Sequence, residues 1–459
     1  MSDLLVRGGT LVTVDGPIRA DVRCRGGRVV EVGLDLPPAE EPVCDASGAL
    51  VFPGIIDPHV HFALVAEPHR TADDFATGSA AALAGGVTTF IDFAHQRAGE
   101  RLESVIDARL VEAAVSRADY SLHIIVTDIS GDQLAELPAL TARGFTSAKI
   151  YTTYRPAGFY CDDHTALRLM TAAAEHGWVV LVHCENDDIV EAERTRIARE
   201  GRVAFRYHGV SRPAIAEIEA VQRMILFAEE TGCATYLVHL STAAAARAVG
   251  AARDRGAPVV GETCPQFLMA DETVYDTERA ARFIHTPPLR TEADRRALWE
   301  ALGGGIQTVA SDHCGYTLQQ RTDYGDLTQV APGIPGVETL FPLLYTYGYV
   351  QGTLSLADLV RLCCVNPARV FGLYPHKGSL APGADADLVI YDPAGETTLS
   401  DAMVRSAAGY SPFSGTTLRG RVAATILRGK IAFDGADVVA EPGQGRLVPR
   451  RPVMRSALP

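Results

Sequence analysis

The sequence predicts an α/β protein: a (β/α)8 TIM barrel with a β-sandwich domain formed from both termini. Three observations predict it. Eight apolar, β-rich runs alternate with alanine-rich helical stretches over roughly 300 residues, the repeat of a closed barrel. Both ends of the chain carry instead short strands separated by turn signals. No Gly-rich phosphate loop follows the first run, which argues against an open doubly wound sheet. The expected division is a sandwich from residues 1–52 and 374–459, with a metal-dependent hydrolase barrel, 53–373, inserted between them.

The first strands read LLVRG, TLVTVDG and ADVRCRGGRVVEVG, where alternation, Gly-Gly and Asp-Gly predict antiparallel pairing. The eight barrel runs are VFPGII, VTTFIDF, YSLHIIVTD, TSAKIY, VVLVH, TYLVHLS, VVGETC and QTVASD. One helix between them shows the rule for the others. In RPAIAEIEAVQRMILFAEETG, Ile215, Ile218, Val221, Ile225 and Ala228 share a helical face. Ser211 can cap this helix, Pro213 suits its first turn and Gly232 ends it. After a helix near 355–371 come ADADLVIYD, AATILRG and KIAFDG, again β-like.

Composition narrows the function. A chain of 459 residues with 47% hydrophobic and 21% charged content is an ordinary globule, long enough for a large barrel. A formal charge of −14 argues against a general nucleic-acid or anionic-membrane binder. The start, MSDLLVRGGTLVTVD, is no secretory signal, and no run is long enough to span a bilayer, so a soluble cytoplasmic protein is expected. The nine cysteines are dispersed without C-x-x-C spacing and read as reduced, packed thiols, including Cys184, Cys314 and the vicinal pair Cys363–Cys364.

Six polar side chains stand at or just past the ends of five of these runs: His59, His61, Lys149, His183, His239 and Asp312. In such barrels, chemistry collects at the carboxyl ends of the strands. His59 and His61 in GIIDPHVHF, two apart on an extended strand, share a face and can grip one divalent ion. A single histidine at a strand end is usually structural. Six such positions together read as the ligand set of a two-metal hydrolytic site.

Lys149 fits only after chemistry, because an ammonium has no lone pair for a cation. Burial lowers a lysine pKa, and the neutral amine can add carbon dioxide. The carbamate has two oxygens, one for each metal. Two ions hold a hydroxide between them and polarise a carbonyl. Asp312, preferred over its neighbour His313, can bind one metal and carry the proton to the leaving nitrogen. His69 and His95 read as solvated loop histidines outside the site.

H-x-H, the strand-four lysine, H-C-E-N, H-L-S and S-D-H-C together resemble the cyclic amidohydrolases, specifically the dihydropyrimidinase/D-hydantoinase branch of the amidohydrolase superfamily. The likeness continues through TADDFATGSAAALAGGVTT, SRPAIAEIEAV, GETCPQFL, TPPLR, GIPGVETLFPLLY and NPARVFGLYPHKGSLAPGADADLVIYDP, and so covers nearly the whole chain. It implies two zinc ions bridged by N6-carboxylated Lys149, opening of a cyclic amide or ureide ring, and a homotetramer. It places one metal on His59, His61, Lys149 and Asp312, and the other on Lys149, His183 and His239. Tyr154 matches the tyrosine that stabilises the oxyanion, and the main chain around Thr286 and Pro332 matches the groups that read the ring.

The chain departs from the family pattern at two places. Pro332 stands where the family has asparagine, so a carbonyl acceptor remains and an N–H donor is lost. A ring expecting both contacts would lose about 1 kcal/mol or more. FALVAEPHR, residues 62–70, replaces a motif rich in Pro, Phe and Gly. Both changes touch the substrate, so the preferred ring is expected to differ from dihydrouracil. The competing readings are an allantoinase or dihydroorotase-like enzyme, a cyclic imide hydrolase, and a non-enzymatic scaffold. Dihydroorotase-like chains usually follow H-x-H-x with an arginine, whereas Phe62 and Ala63 follow His61 here. The filled ligand set argues against the scaffold.

Overall fold

The structure, a computed structural model, describes residues 3–66 and 68–459; Glu67, inside the 62–70 segment singled out above, lies outside the described residues, as do Met1 and Ser2. Eight strands follow one another in a single sheet: β1 (Ile55–Asp57), β2 (Val87–His95), β3 (Asp119–Ile125), β4 (Ser147–Tyr151), β5 (Val179–His183), β6 (Ala234–Leu237), β7 (Val259–Thr263) and β8 (Thr308–Val309). Each pairs in parallel with the next. The circle closes just beyond the strands: Val60 bridges His313, and the His61 N–H donates to the His313 carbonyl at 2.7 Å. The central strands are buried along their length, as a barrel demands, with helices outside and side chains filling the middle.

The run VFPGII serves two sheets rather than one. Leu50–Pro53 pairs with Leu388–Thr398 and with Thr10–Thr13, whereas Ile55–Asp57 starts the barrel. Gly54 is the crossing point, where a Cβ would lie 2.1 Å from the Thr88 hydroxyl. Strands from both chain ends therefore share a six-stranded sheet, and a four-stranded sheet faces it across Leu4, Val6, Val22, Val51, Leu388 and Ile426. Pairing at the N-terminal end is mixed rather than antiparallel throughout. Leu4–Arg7 lies parallel to Val43–Asp45, and Thr10–Thr13 parallel to Leu50–Pro53.

The helix Ala214–Thr231 forms and ends at Gly232 in the left-handed region, φ 69°, as read. Its buried face is rotated from the expected one, leaving Ile215 exposed and Glu217 buried. The reason is polar: the Glu217 carboxylate accepts from the Ser241 and Thr242 N–H groups at 3.0 Å each and from both hydroxyls. Ser211 does not cap; its hydroxyl donates to the His208 carbonyl at 2.7 Å. The stretch 355–371 is helical with a π turn, Arg361–Val365, at its centre. All nine cysteines are free, and eight are buried. Among the described residues no helix is long and apolar enough to cross a membrane.

Buried charge joins the barrel to the sheets from the chain ends. The Lys377 ammonium donates to Asp119 and Asp387 at 2.6 Å each and lies 3.0 Å from Asp385. Asp119 opens β3, and Asp387 precedes the strand Leu388–Thr398. The three carboxylates cluster as though around a cation, and the lysine is that cation. Beyond them the C-terminal stretch runs under the barrel. Arg450 reaches into its floor, donating to Ser121 at 2.9 Å and Ser147 at 2.7 Å. Lys377→Ala leaves the buried Asp387 without a cation, while Asp119 keeps Arg428 and Asp385 keeps Arg28, and should lower stability by about 3 kcal/mol, read as a shifted denaturant midpoint; a loss below about 1 kcal/mol contradicts the role.

Candidate metal centre

The six residues singled out from the strand ends all line one pocket of about 330 Å³ at the carboxyl end of the barrel. His59 and His61 follow β1, Lys149 lies within β4, and His183 ends β5. His239 comes two residues after β6, and Asp312 three residues after β8. Asp312 Oδ1 stands 3.2 Å from His59 Nε2 and 3.4 Å from His61 Nε2. These three are close enough to share one ion. The His183 and His239 rings lie 4.5 Å apart, and His239 stacks at 5.6 Å on His59, so the two halves of the set are contiguous.

Lys149 is fully buried, and its Nζ has no hydrogen-bond partner among the described residues. It lies over the rings of Tyr151 and Phe93, at 5.1 and 5.6 Å. Burial pulls its amine down to about 8, against the nearby Glu262 and Asp312 carboxylates. Burial also holds the imidazoles of His59 and His239 well below their usual range and lowers that of His183. A neutral imidazole keeps a lone pair for a metal. For Asp312, burial raises the carboxyl, but His59 and His61 beside it outweigh this and leave it lowered.

A second layer of carboxylates decides which ring atoms face the pocket, and reading by strand ends passes over it. His59 donates from Nδ1 to Glu262 at 2.8 Å, which turns its Nε2 toward Asp312. Glu262 also accepts from the His239 main-chain N–H at 2.9 Å and the Tyr236 hydroxyl at 2.8 Å. His183 donates from Nε2 to Glu185 at 2.7 Å, which leaves Nδ1 as the ring nitrogen available to a metal. Glu185 is held in turn by Arg212, with contacts of 2.6 to 3.0 Å. The sequence signal for Glu262 is a charge inside the apolar run VVGETC.

Tyr154 and Thr286 hydrogen-bond through their hydroxyls, and both line the pocket with Pro332. Burial raises the Tyr154 phenol, although Arg212 over its ring works the other way, so it keeps its proton as a donor. His313 points out of the pocket. Its Nε2 lies 3.0 Å from Asp73, and its Nδ1 accepts from the Gly336 and Val337 N–H groups. His69 is not solvated: it is buried in the pocket wall and donates to the Gln329 carbonyl at 2.7 Å. His95 is half-buried, stacked 4.2 Å from Phe159.

Three comparisons relate the chain to known proteins. Residues 50–432 match the model of the amidohydrolase family. The D-hydantoinase of Ralstonia pickettii is 37% identical over 98% of this chain and 99% of its own, and the D-phenylhydantoinase of Escherichia coli O1:K1 / APEC is 38% identical over 99% and 100%. The crystal structure of dihydropyrimidinase from Brevibacillus agri NCHU1002 superposes with a TM-score of 0.96 at 35% identity, covering 98% of this chain and 99% of that one. With fold, family match and full-length relatives in accord, the chain belongs to the amidohydrolase family, in its dihydropyrimidinase and hydantoinase branch.

Proposed function

We propose that the protein is a binuclear-zinc hydrolase that opens the C–N amide bond of a cyclic amide or ureide ring of the dihydropyrimidine or hydantoin type. One observation carries the reading: four histidines, Asp312 and a buried amine with no hydrogen-bond partner among the described residues converge on one pocket. An unpaired polar group in an apolar setting is costly, and the low lysine pKa favours the neutral amine that adds carbon dioxide. As N6-carboxylated lysine, residue 149 would offer an oxygen to each of two ions. His59, His61 and Asp312 would complete one set, His183 and His239 the other. Nitrogen and carboxylate donors of this kind suit zinc. Bound there, the ions supply Lewis acidity for the ring carbonyl and a water acidified to near neutrality.

The chain's own residues do the rest. Asp312 takes the proton of the attacking water and returns it to the ring nitrogen as the C–N bond breaks, so an N-carbamoyl or amide acid leaves. The Tyr154 phenol donates to the oxygen that gains charge during attack. The main chain at Thr286 and Pro332 holds the ring, with Pro332 offering a carbonyl and no N–H. The family resemblance extends the proposal to a homotetramer, which light scattering tests.

Zinc-loaded protein should hydrolyse at least one ring in a panel of dihydrouracil, hydantoin, 5-substituted hydantoins, allantoin, dihydroorotate and succinimide; dihydrouracil well ahead of all the others would contradict the expected shift in ring preference. Tyr154→Phe should lower kcat by about 100-fold or more while metal content stays put, and wild-type turnover would refute the donor role. Lys149→Ala should lose both activity and stoichiometric metal, read by plasma mass spectrometry. Full metal and full activity in that variant would remove the bridging role.

A further inference from the structure

A small recess opens off the pocket and shares Tyr154, Arg194, Thr286 and Pro332 with it. Its volume is about 50 Å³, where a single buried water needs about 10–15 Å³, so a carboxylate group fits. Arg212, Ser211 and Thr328 also line it, and among the described residues no acidic side chain does. Two arginines and four hydroxyl side chains, those of Tyr154, Ser211, Thr286 and Thr328, therefore line a space that no carboxylate lines among the described residues.

The two arginines differ in what they already hold. Arg212 is tied to Glu185, the carboxylate that also orients His183. Among the described residues Arg194, on the helix Asp187–Arg199, has only Glu191 as a salt-bridge partner, at 3.8 Å and without a hydrogen bond. Both of those side chains are 35% exposed, a pairing that contributes little. Arg194 nevertheless lines both the pocket and the recess together with Tyr154, Thr286 and Pro332. A planar fork of donors with no hydrogen-bonded partner matches a carboxylate in shape and charge.

We propose that the pocket selects rings carrying a carboxylate on a short arm, with Arg194 holding that carboxylate in the recess; this rests on the ring-opening reading above. The arrangement also gives the departure at Pro332, which lines the recess, a direction. The wall that lost a ring-reading donor adjoins a cation.

The test compares 5-(2-carboxyethyl)hydantoin with its neutral isostere, 5-(2-carbamoylethyl)hydantoin, and with unsubstituted hydantoin, on zinc-loaded wild type, Arg194→Gln and Arg194→Lys. The wild type should favour the acid over the amide by about tenfold or more in kcat/KM, mainly through KM. Arg194→Gln should erase that ratio, and Arg194→Lys should recover part of it. Equal rates for acid and amide in the wild type, or a ratio unmoved by Arg194→Gln, would overturn the inference. If none of the three rings opens, the ring-opening reading fails for this class of ring. Calorimetric Kd values for acid and amide, then undisturbed by turnover, decide on the recess by the same ratio.

Discussion

The site depends on how the barrel closes. Strands β1 and β8 are short, three and two residues, and they do not pair along their own length. Closure passes instead to the segments just beyond them, through the Val60–His313 bridge and the hydrogen bond from His61 to His313. Those segments carry His59, His61 and Asp312. The hydrogen bonds that complete the cylinder thus fix the spacing of three donors that can share an ion. Asp57 strengthens the junction by accepting from the Ser311 N–H at 3.2 Å. Loss of closure and loss of the donor set would be one event.

Holding those donors strains the chain. Among the described residues, six other than glycine have positive φ, and Tyr154 (65°), His239 (41°) and Asp312 (49°) are three of them. Such conformations cost about 1–3 kcal/mol each and persist only where surroundings over-determine them. Glu262 is one such constraint, because it binds the His239 main chain and the His59 ring together. One buried carboxylate thereby couples donors from β1 and β6. Its place inside the barrel is tenable because Tyr236 and the two histidine groups satisfy it.

Much of this was legible in the residue pattern, and what escaped shares a cause. Runs of β-branched residues alternating with amphipathic helices announce a barrel, and polar residues at the ends of such runs announce its mouth. The pattern could not reveal that VFPGII crosses between sheets, since both halves are equally apolar and only the tight Gly54–Thr88 approach separates them. It misplaced the buried face of Ala214–Thr231 because Glu217 is buried by hydrogen bonds, which hydrophobic periodicity does not count. His69 read as solvated for a similar reason: its partner is a main-chain carbonyl 260 residues away. Glu262, Glu185 and Arg212 act through other residues, so their role lies in contacts that no spacing encodes.

The origin of each group divides the pocket into two parts with different tolerance to change. The candidate metal ligands lie in or within a few residues of the barrel strands, where pairing on both sides and a packed interior leave little freedom. Another part of the pocket wall is made of connections: Leu64, Ala66 and His69 from one, Val330 and Pro332 from another, tied by the His69–Gln329 hydrogen bond. Loops vary without unfolding the scaffold that carries them. Pro332 and the 62–70 segment, the two departures expected from the resemblance, fall in this second part. These connections can therefore change while the side chains at the strand ends stay constant, and Arg194 lines the same pocket from a helix, Asp187–Arg199, rather than from a connection.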